Sequence, residues 1–129
     1  SRKAAQHAHL PLALLLAQEA GAQVVLIEAG RLARGVSGYT TAKVSSQHGL
    51  KYAQLTSKHG AGAARTYGQV NEAALAWIAE RVERDGIDCD LRRQPSFAYV
   101  TDPSRRDQIE AETRAAVAAG LPATLVDET

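Results

Sequence analysis

The stretch that most constrains the fold is Val24-Val25-Leu26-Ile27-Glu28-Ala29-Gly30, an unbroken apolar run that stops on a carboxylate. Its β-branched content suits a strand covered on both faces, as in parallel sheets. Leu10 to Ala20 precede it with a helical pattern, closed by Gly21. A helix feeding a parallel strand that ends in an acid is the second half of a dinucleotide-binding βαβ unit. In such a unit the acid's two oxygens accept both hydroxyls of an adenosine ribose. The first half should place a Gly-x-Gly-x-x-Gly turn upstream, at positions 4, 6 and 9 if Ala13 packs the helix on the sheet. Those positions hold Ala4, Gln6 and His9, and Ser1-Arg2-Lys3 stand where an apolar strand is expected.

The rest divides at its glycines. Residues 29–47 hold Gly30, Gly35, Gly38 and many hydroxyls and form a long loop, a kind of segment that is often functional. A helix is expected from Leu50 to Lys58, broken by Gly60 and Gly62. A longer one is expected from Ala63 to Asp85, stopped by Gly86. Tyr67, Val70, Ala74, Trp77, Ile78 and Val82 give that helix one apolar face. Glu80 and Arg84 make an i,i+4 pair on it. Strands are expected over Leu91–Gln94 and Phe97–Thr101, with Pro95-Ser96 as the turn. A helix then starts with Asp102 as N-cap and Pro103 in its first turn, and runs to about Ala119. Gly120-Leu121-Pro122 ends it, and Ala123–Val126 read as a last strand.

At 129 residues the chain is one domain or part of one. Fifteen Lys and Arg balance fourteen Asp and Glu, which leaves no drive for nucleic-acid binding. No apolar run is long enough to span a bilayer, so no membrane partner is expected; Leu10–Ala17 resembles a short signal core but continues into the helix-strand pattern. Cys89 is the only cysteine, so no internal disulfide forms, and a reducing cytoplasm fits. Its neighbours Asp88 and Asp90 disfavour a thiolate, and a small, partly buried structural cysteine is expected. His7-x-His9 can bind metal only if both face one way on a strand, and residues 1–9 show no strand pattern; His48 and His59 have no carboxylate or cysteine neighbours at metal spacing, and no nucleophile elbow, P-loop or paired catalytic carboxylate occurs.

The loop after Glu28 carries the most specific signal. Its run Gly35-Val-Ser-Gly38-Tyr-Thr40-Thr41-Ala42-Lys43-Val-Ser-Ser-Gln47-His48-Gly49 follows Glu28-Ala29-Gly30-Arg31. This resembles FAD-dependent oxidoreductases of the D-amino-acid oxidase and glycine oxidase superfamily, in the subgroup often fused to a Rieske domain. The similarity extends over about residues 10–129, through Gly86–Asp90, Tyr99–Pro103, Gly120–Ala123 and Val126–Thr129. No Rieske Cys-x-His…Cys-x-x-His pattern is present.

The resemblance implies an α/β fold: a partial Rossmann-like FAD-binding domain over 10–86 with a helical insertion, then the start of a β-containing substrate domain over 87–129. Residues 1–9 would be a disordered or non-native arm. It implies the cofactor FAD and a small amine or amino-acid substrate oxidised at a C–N bond by hydride transfer. Glu28 would hold the adenosine ribose, with Ala29 and Arg31 beside the adenine. Gly38, Thr40, Thr41 and Ala42 would line the pyrophosphate and flavin, and Lys43 would lie near the flavin. Taken without the resemblance, Lys43 reads equally as a surface lysine, and Thr40-Thr41 as a hydroxyl-rich turn. No catalytic residue is assigned. Lacking the glycine turn, the chain is expected to be an inactive amino-terminal fragment that binds FAD weakly or not at all. The competing expectation is a non-catalytic helical α/β module that binds a protein partner, with self-association through exposed apolar surface.

Overall fold

The computed structural model describes residues 11–27, 29–31, 34 and 36–127. The expected arm at 1–9, the departures at Ala4, Gln6 and His9, and Glu28 lie outside the described residues. The chain forms two compact units, Ser1–Lys43 and Val44–Thr129, each treated by itself below.

In the first unit residues 11–18 are helical (α1), with Pro11 at the first described position. The helix closes as Glu19 and Ala20 donate backbone hydrogen bonds to the Leu15 carbonyl and Ala22 to that of Leu16, at 2.9–3.3 Å. Val36–Tyr39 form a single 3₁₀ turn. The run expected as a strand is not one. Val25 and Ile27 are 83% and 89% exposed, and Val24 and Leu26 are partly exposed.

In the second unit α2 spans Lys51–Arg84 and α3 spans Arg106–Ala118. Gly60 bends α2, with φ 82° and ψ 165° inside the helical run. That backbone costs a β-carbon residue far more than glycine, so the expected break falls there, whereas Gly62 stays helical. Ile87 closes α2 on the Val82 carbonyl and Leu121 closes α3 on that of Ala116, both at 3.0 Å, the wrapped-back ending that a left-handed residue permits. α3 is entered through a 3₁₀ turn over Pro103–Arg105. The Asp102 carboxylate accepts the Ser104 N–H at 2.9 Å, which makes Asp102 the expected N-cap. Hydrogen bonding from Ser104, its side chain foremost and its backbone N–H next, holds the Asp102 carboxyl below the usual carboxylate range, and the charge of Arg105 adds to this.

α2 and α3 pack on each other. Their core is small: Tyr52, Ala64, Ala116 and Ala119 are buried, with Leu55, Tyr67, Ala115, Leu121 and Ala123 against them. Alanines let the helix backbones approach, and Tyr52, 1% exposed, fills the space between. Gly68 belongs to this approach; a Cβ there would meet Leu121 Cδ1 at 3.0 Å and Tyr52 Cε1 at 3.5 Å.

The α/β fold class is therefore corrected. Among the described residues there is no strand, neither the parallel strand at 24–27 nor those at 91–94, 97–101 and 123–126. A strand exists only through a ladder with a neighbour, and none of these segments has one here. Three smaller expectations also change. The buried stripe of α2 runs through Ala64 and Gly68, while Val70 and Ala74 are exposed. Arg84 pairs with Asp85 at 3.2 Å rather than with Glu80. Arg81 also reaches Asp85, at 2.5 Å, and lies over the Trp77 ring. Cys89 is exposed, not a partly buried structural thiol.

Candidate functional site

The residues that the sequence assigns to a cofactor fall in the first unit. Ala29, Arg31, Gly38, Thr40, Thr41, Ala42 and Lys43 are all exposed, and Glu28 lies outside the described residues. Gly38 sits in the Val36–Tyr39 turn, directly before Thr40. The Ala42 N–H donates to Thr40 Oγ1 at 3.2 Å, and Ala42 takes a positive φ of 55°. This is a tight hydroxyl-closed turn, and it draws Thr40 and Ala42 together. The Arg31 carbonyl accepts from Arg34 N–H at 3.2 Å in a separate turn.

The donor set suits a diphosphate in its chemistry. Two adjacent threonine hydroxyls and a lysine ammonium stand together in sequence, and neither Lys43 nor Arg31 has an ion-pair partner among the described residues. Hydroxyls and a compact cation are good partners for phosphate oxygens. The small side chain of Ala42 and the bare backbone of Gly38 leave room for close approach.

The second unit holds a polar cluster that the sequence did not announce. The Glu112 carboxylate, on α3 and only 5% exposed, accepts the Tyr52 N–H at 2.9 Å on one oxygen and the Ala53 N–H at 2.7 Å on the other. Leu50, the residue at the start of α2, has no side-chain cap. Glu112 therefore caps α2 from sixty residues away, placing negative charge where the first-turn amides lack helical acceptors. The one legible signal is its position: an acid on the α3 face that carries Ala116 and Ala119.

The segment before α2 is tied down by the same helices. Tyr52 Oη donates to the Ser46 carbonyl at 2.8 Å. Burial, above all, pushes the Tyr52 hydroxyl above its ordinary value, and Tyr67, Glu72 and Glu112 add to this. Tyr67 Oη and His48 Nδ1 are 2.6 Å apart, and the Tyr67 ring meets both His48 and Tyr52 edge-on. Ser96 Oγ donates to Gln47 Oε1 at 2.5 Å, joining Ser45–His48 to the segment after α2. Beside them an open groove of about 310 Å³ is lined by Gly49, Leu50, Phe97–Thr101 and Arg105.

Among the described residues no group of His, Cys, Asp or Glu gathers as a metal site. Among them, too, no helix is long and apolar enough to cross a membrane.

Residues 10–129 match the family model described as FAD dependent oxidoreductase (DAO), and the chain belongs to that family. It is similar to the putative Rieske 2Fe-2S iron-sulfur protein YhfW of Bacillus subtilis, 32% identical over 108 residues. That match covers 84% of this chain and 21% of the relative. It is also similar to gamma-glutamylputrescine oxidoreductase of Escherichia coli, 33% identical over 84 residues, covering 65% of this chain and 20% of that protein. The chain thus spans about a fifth of the length of the curated relatives it matches. No solved structure matches it.

Proposed function

We propose that this chain supplies part of the FAD site of an enzyme that oxidises a C–N bond in a small amine or amino acid. The observation that carries this reading is the family match, which takes in the whole Glu28–Lys43 segment. A relative named for gamma-glutamylputrescine supports an amine as the substrate class. A cytoplasmic setting is part of the reading, since the single cysteine can form no internal disulfide.

The roles follow from the side chains. Glu28 would accept the ribose hydroxyls, and Ala29 and Arg31 would flank the adenine. Thr40 and Thr41 would donate to the diphosphate, Gly38 and Ala42 would let it pass close to the backbone, and Lys43 would offset its charge. When bound, FAD supplies the hydride acceptor. Residues 10–86 would serve the cofactor side and 87–129 the substrate side. With the cofactor-side residues exposed, these 129 residues alone would hold FAD weakly and turn nothing over.

Titrating the chain with FAD and following flavin fluorescence anisotropy tests this. Weak, saturable binding is expected, and Thr40→Ala, Thr41→Ala and Lys43→Ala combined should weaken it about tenfold, as lost hydrogen bonds to a charged group would. Equal binding by the wild type and that triple variant would remove the site assignment. A stoichiometric flavin band surviving desalting would refute weak binding.

A second reading, a protein-interaction module, is favoured by the exposed apolar side chains of Val25 and Ile27. It expects concentration-dependent self-association by light scattering, abolished in Val25→Thr/Ile27→Thr. A monomer at high concentration would count against it.

A further inference from the structure

We propose that Asp85–Gly86 is a latent succinimide site, held closed at the end of α2 by the Arg81 and Arg84 guanidinium groups. This goes beyond the cofactor reading and is independent of it, because it uses only contacts within the last turns of α2.

Asp85–Gly86 is the one place in the chain where aspartate precedes glycine. Glycine carries no β-carbon to keep the aspartate side chain from the following amide. In the reaction the Gly86 nitrogen attacks the carboxyl carbon of protonated Asp85. A C–N bond forms, and the carboxyl hydroxyl leaves with the amide proton as water. Water then opens the ring at either carbonyl, which returns aspartate or gives isoaspartate. Isoaspartate adds a methylene to the backbone. That would pull apart the ending of α2, where the Ile87 N–H reaches the Val82 carbonyl at 3.0 Å.

Charge is the first barrier. Asp85 Oδ2 accepts from Arg81 Nε at 2.5 Å and Oδ1 from Arg84 Nε at 3.2 Å, so each oxygen faces a cation. A carboxylate has no hydroxyl to lose, and only the protonated form reacts. The charged groups acting on Asp85 are these two arginines, both on α2, and hydrogen bonding from Arg84 foremost holds its carboxyl below the ordinary range. Arg81 is itself fixed, 8% exposed and lying over the Trp77 ring. A guanidinium placed beforehand loses less freedom in the pair than a solvated one does. Burial is not the protection, because the Asp85 side chain is 37% exposed. Geometry is the second barrier. Asp85 has ψ 1°, so the Gly86 nitrogen eclipses the Asp85 nitrogen and lies away from the β-carbon. Ring closure needs it on the β-carbon side. The Gly86 N–H is also engaged, donating to the Glu83 carbonyl at 3.3 Å.

The test incubates the full chain at about pH 6, where a few carboxyls are still protonated. Isoaspartate at residue 85 is read by electron-transfer mass spectrometry, beside the free peptide acetyl-Glu-Arg-Asp-Gly-Ile-amide. The chain should react about tenfold more slowly than the peptide, which has neither the Arg81 contact nor a fixed ψ. Arg84→Gln, at an exposed position, should speed the reaction about threefold, and together with Arg81→Gln about tenfold, since the rate follows the protonated fraction. The rate falls as pH rises through the carboxyl's value, so Arg84→Gln should move that fall to higher pH. A mere loosening of the helix end would raise the rate at every pH and leave the profile in place. Three results would overturn the proposal. One is a chain that reacts as fast as the peptide. Another is Arg84→Gln reacting at the wild-type rate. The last is a faster Arg84→Gln whose pH profile has not moved.

Discussion

In the unit that begins at Val44, the start of α2 finds an acceptor across the fold. In the unit that ends at Lys43, the most apolar run of the chain faces solvent. Tyr52 and Glu112 sit 1% and 5% exposed, while Val25 and Ile27 sit 83% and 89% exposed. Hydrophobicity therefore does not sort the two units; partners do. Helices satisfy their backbone within one segment and need only a face to pack, so α2 and α3 assemble around one tyrosine and a few alanines. An apolar extended run needs a neighbour for every backbone group before burial can stabilise it.

Substitutions can break this contrast. Tyr52→Ala should have the largest effect, about 4 kcal/mol, because it empties the core between α2 and α3. The loss is read from the urea midpoint of the helical circular-dichroism signal. Glu112→Ala should follow at about 3 kcal/mol, since it strips two first-turn amides of a charged acceptor. If this loss equals that of an exposed glutamate such as Glu80→Ala, the capping role is wrong. Gly68→Val should cost about 2 kcal/mol by forcing Leu121 and Tyr52 apart. Asp102→Ala should lower the midpoint by less, with Asn restoring most of it, since either side chain can cap. Val25→Thr should be nearly silent, within about 0.5 kcal/mol. A large loss there would erase the contrast.

Two pH dependences sharpen the same comparison. Tyr52 has a raised folded-state value, so its contribution is whole below the unfolded value, near pH 10, and is lost as pH rises through the folded one. The helical signal should become easier to melt in that alkaline range, and Tyr52→Phe should blunt the effect. Asp102 has a lowered folded-state value. Its contribution is present above the ordinary carboxylate range, near pH 4, and is lost as pH falls through the folded value. Asp102→Asn should remove this acid dependence.

Much of the helical architecture was legible because its signals are local. Gly60 marked the bend in α2, Gly86 and Gly120 its end and that of α3, and Asp102-Pro103 the entry to α3. Those signals act through the backbone of a few adjacent residues, so no long-range knowledge was needed. The strands were misjudged for the opposite reason: β-branched runs show what a strand is made of, not whether another strand lies beside it. The candidate cofactor loop was legible as a motif, Gly38 to Lys43, through resemblance to a family. The Glu112 cap was not, because nothing near Lys51 in the chain announces an acceptor sixty residues away.

The amino-acid order alone determined where helices start, bend and stop, and the membership of a flavoprotein family that the Thr40–Lys43 motif indicates. Only the tertiary structure decided which face of α2 is buried, that a carboxylate on α3 closes the start of α2, and that Val24–Ile27 stays open. Chain punctuation is governed by torsion angles within a few residues, whereas burial and pairing depend on which distant groups arrive to exclude water.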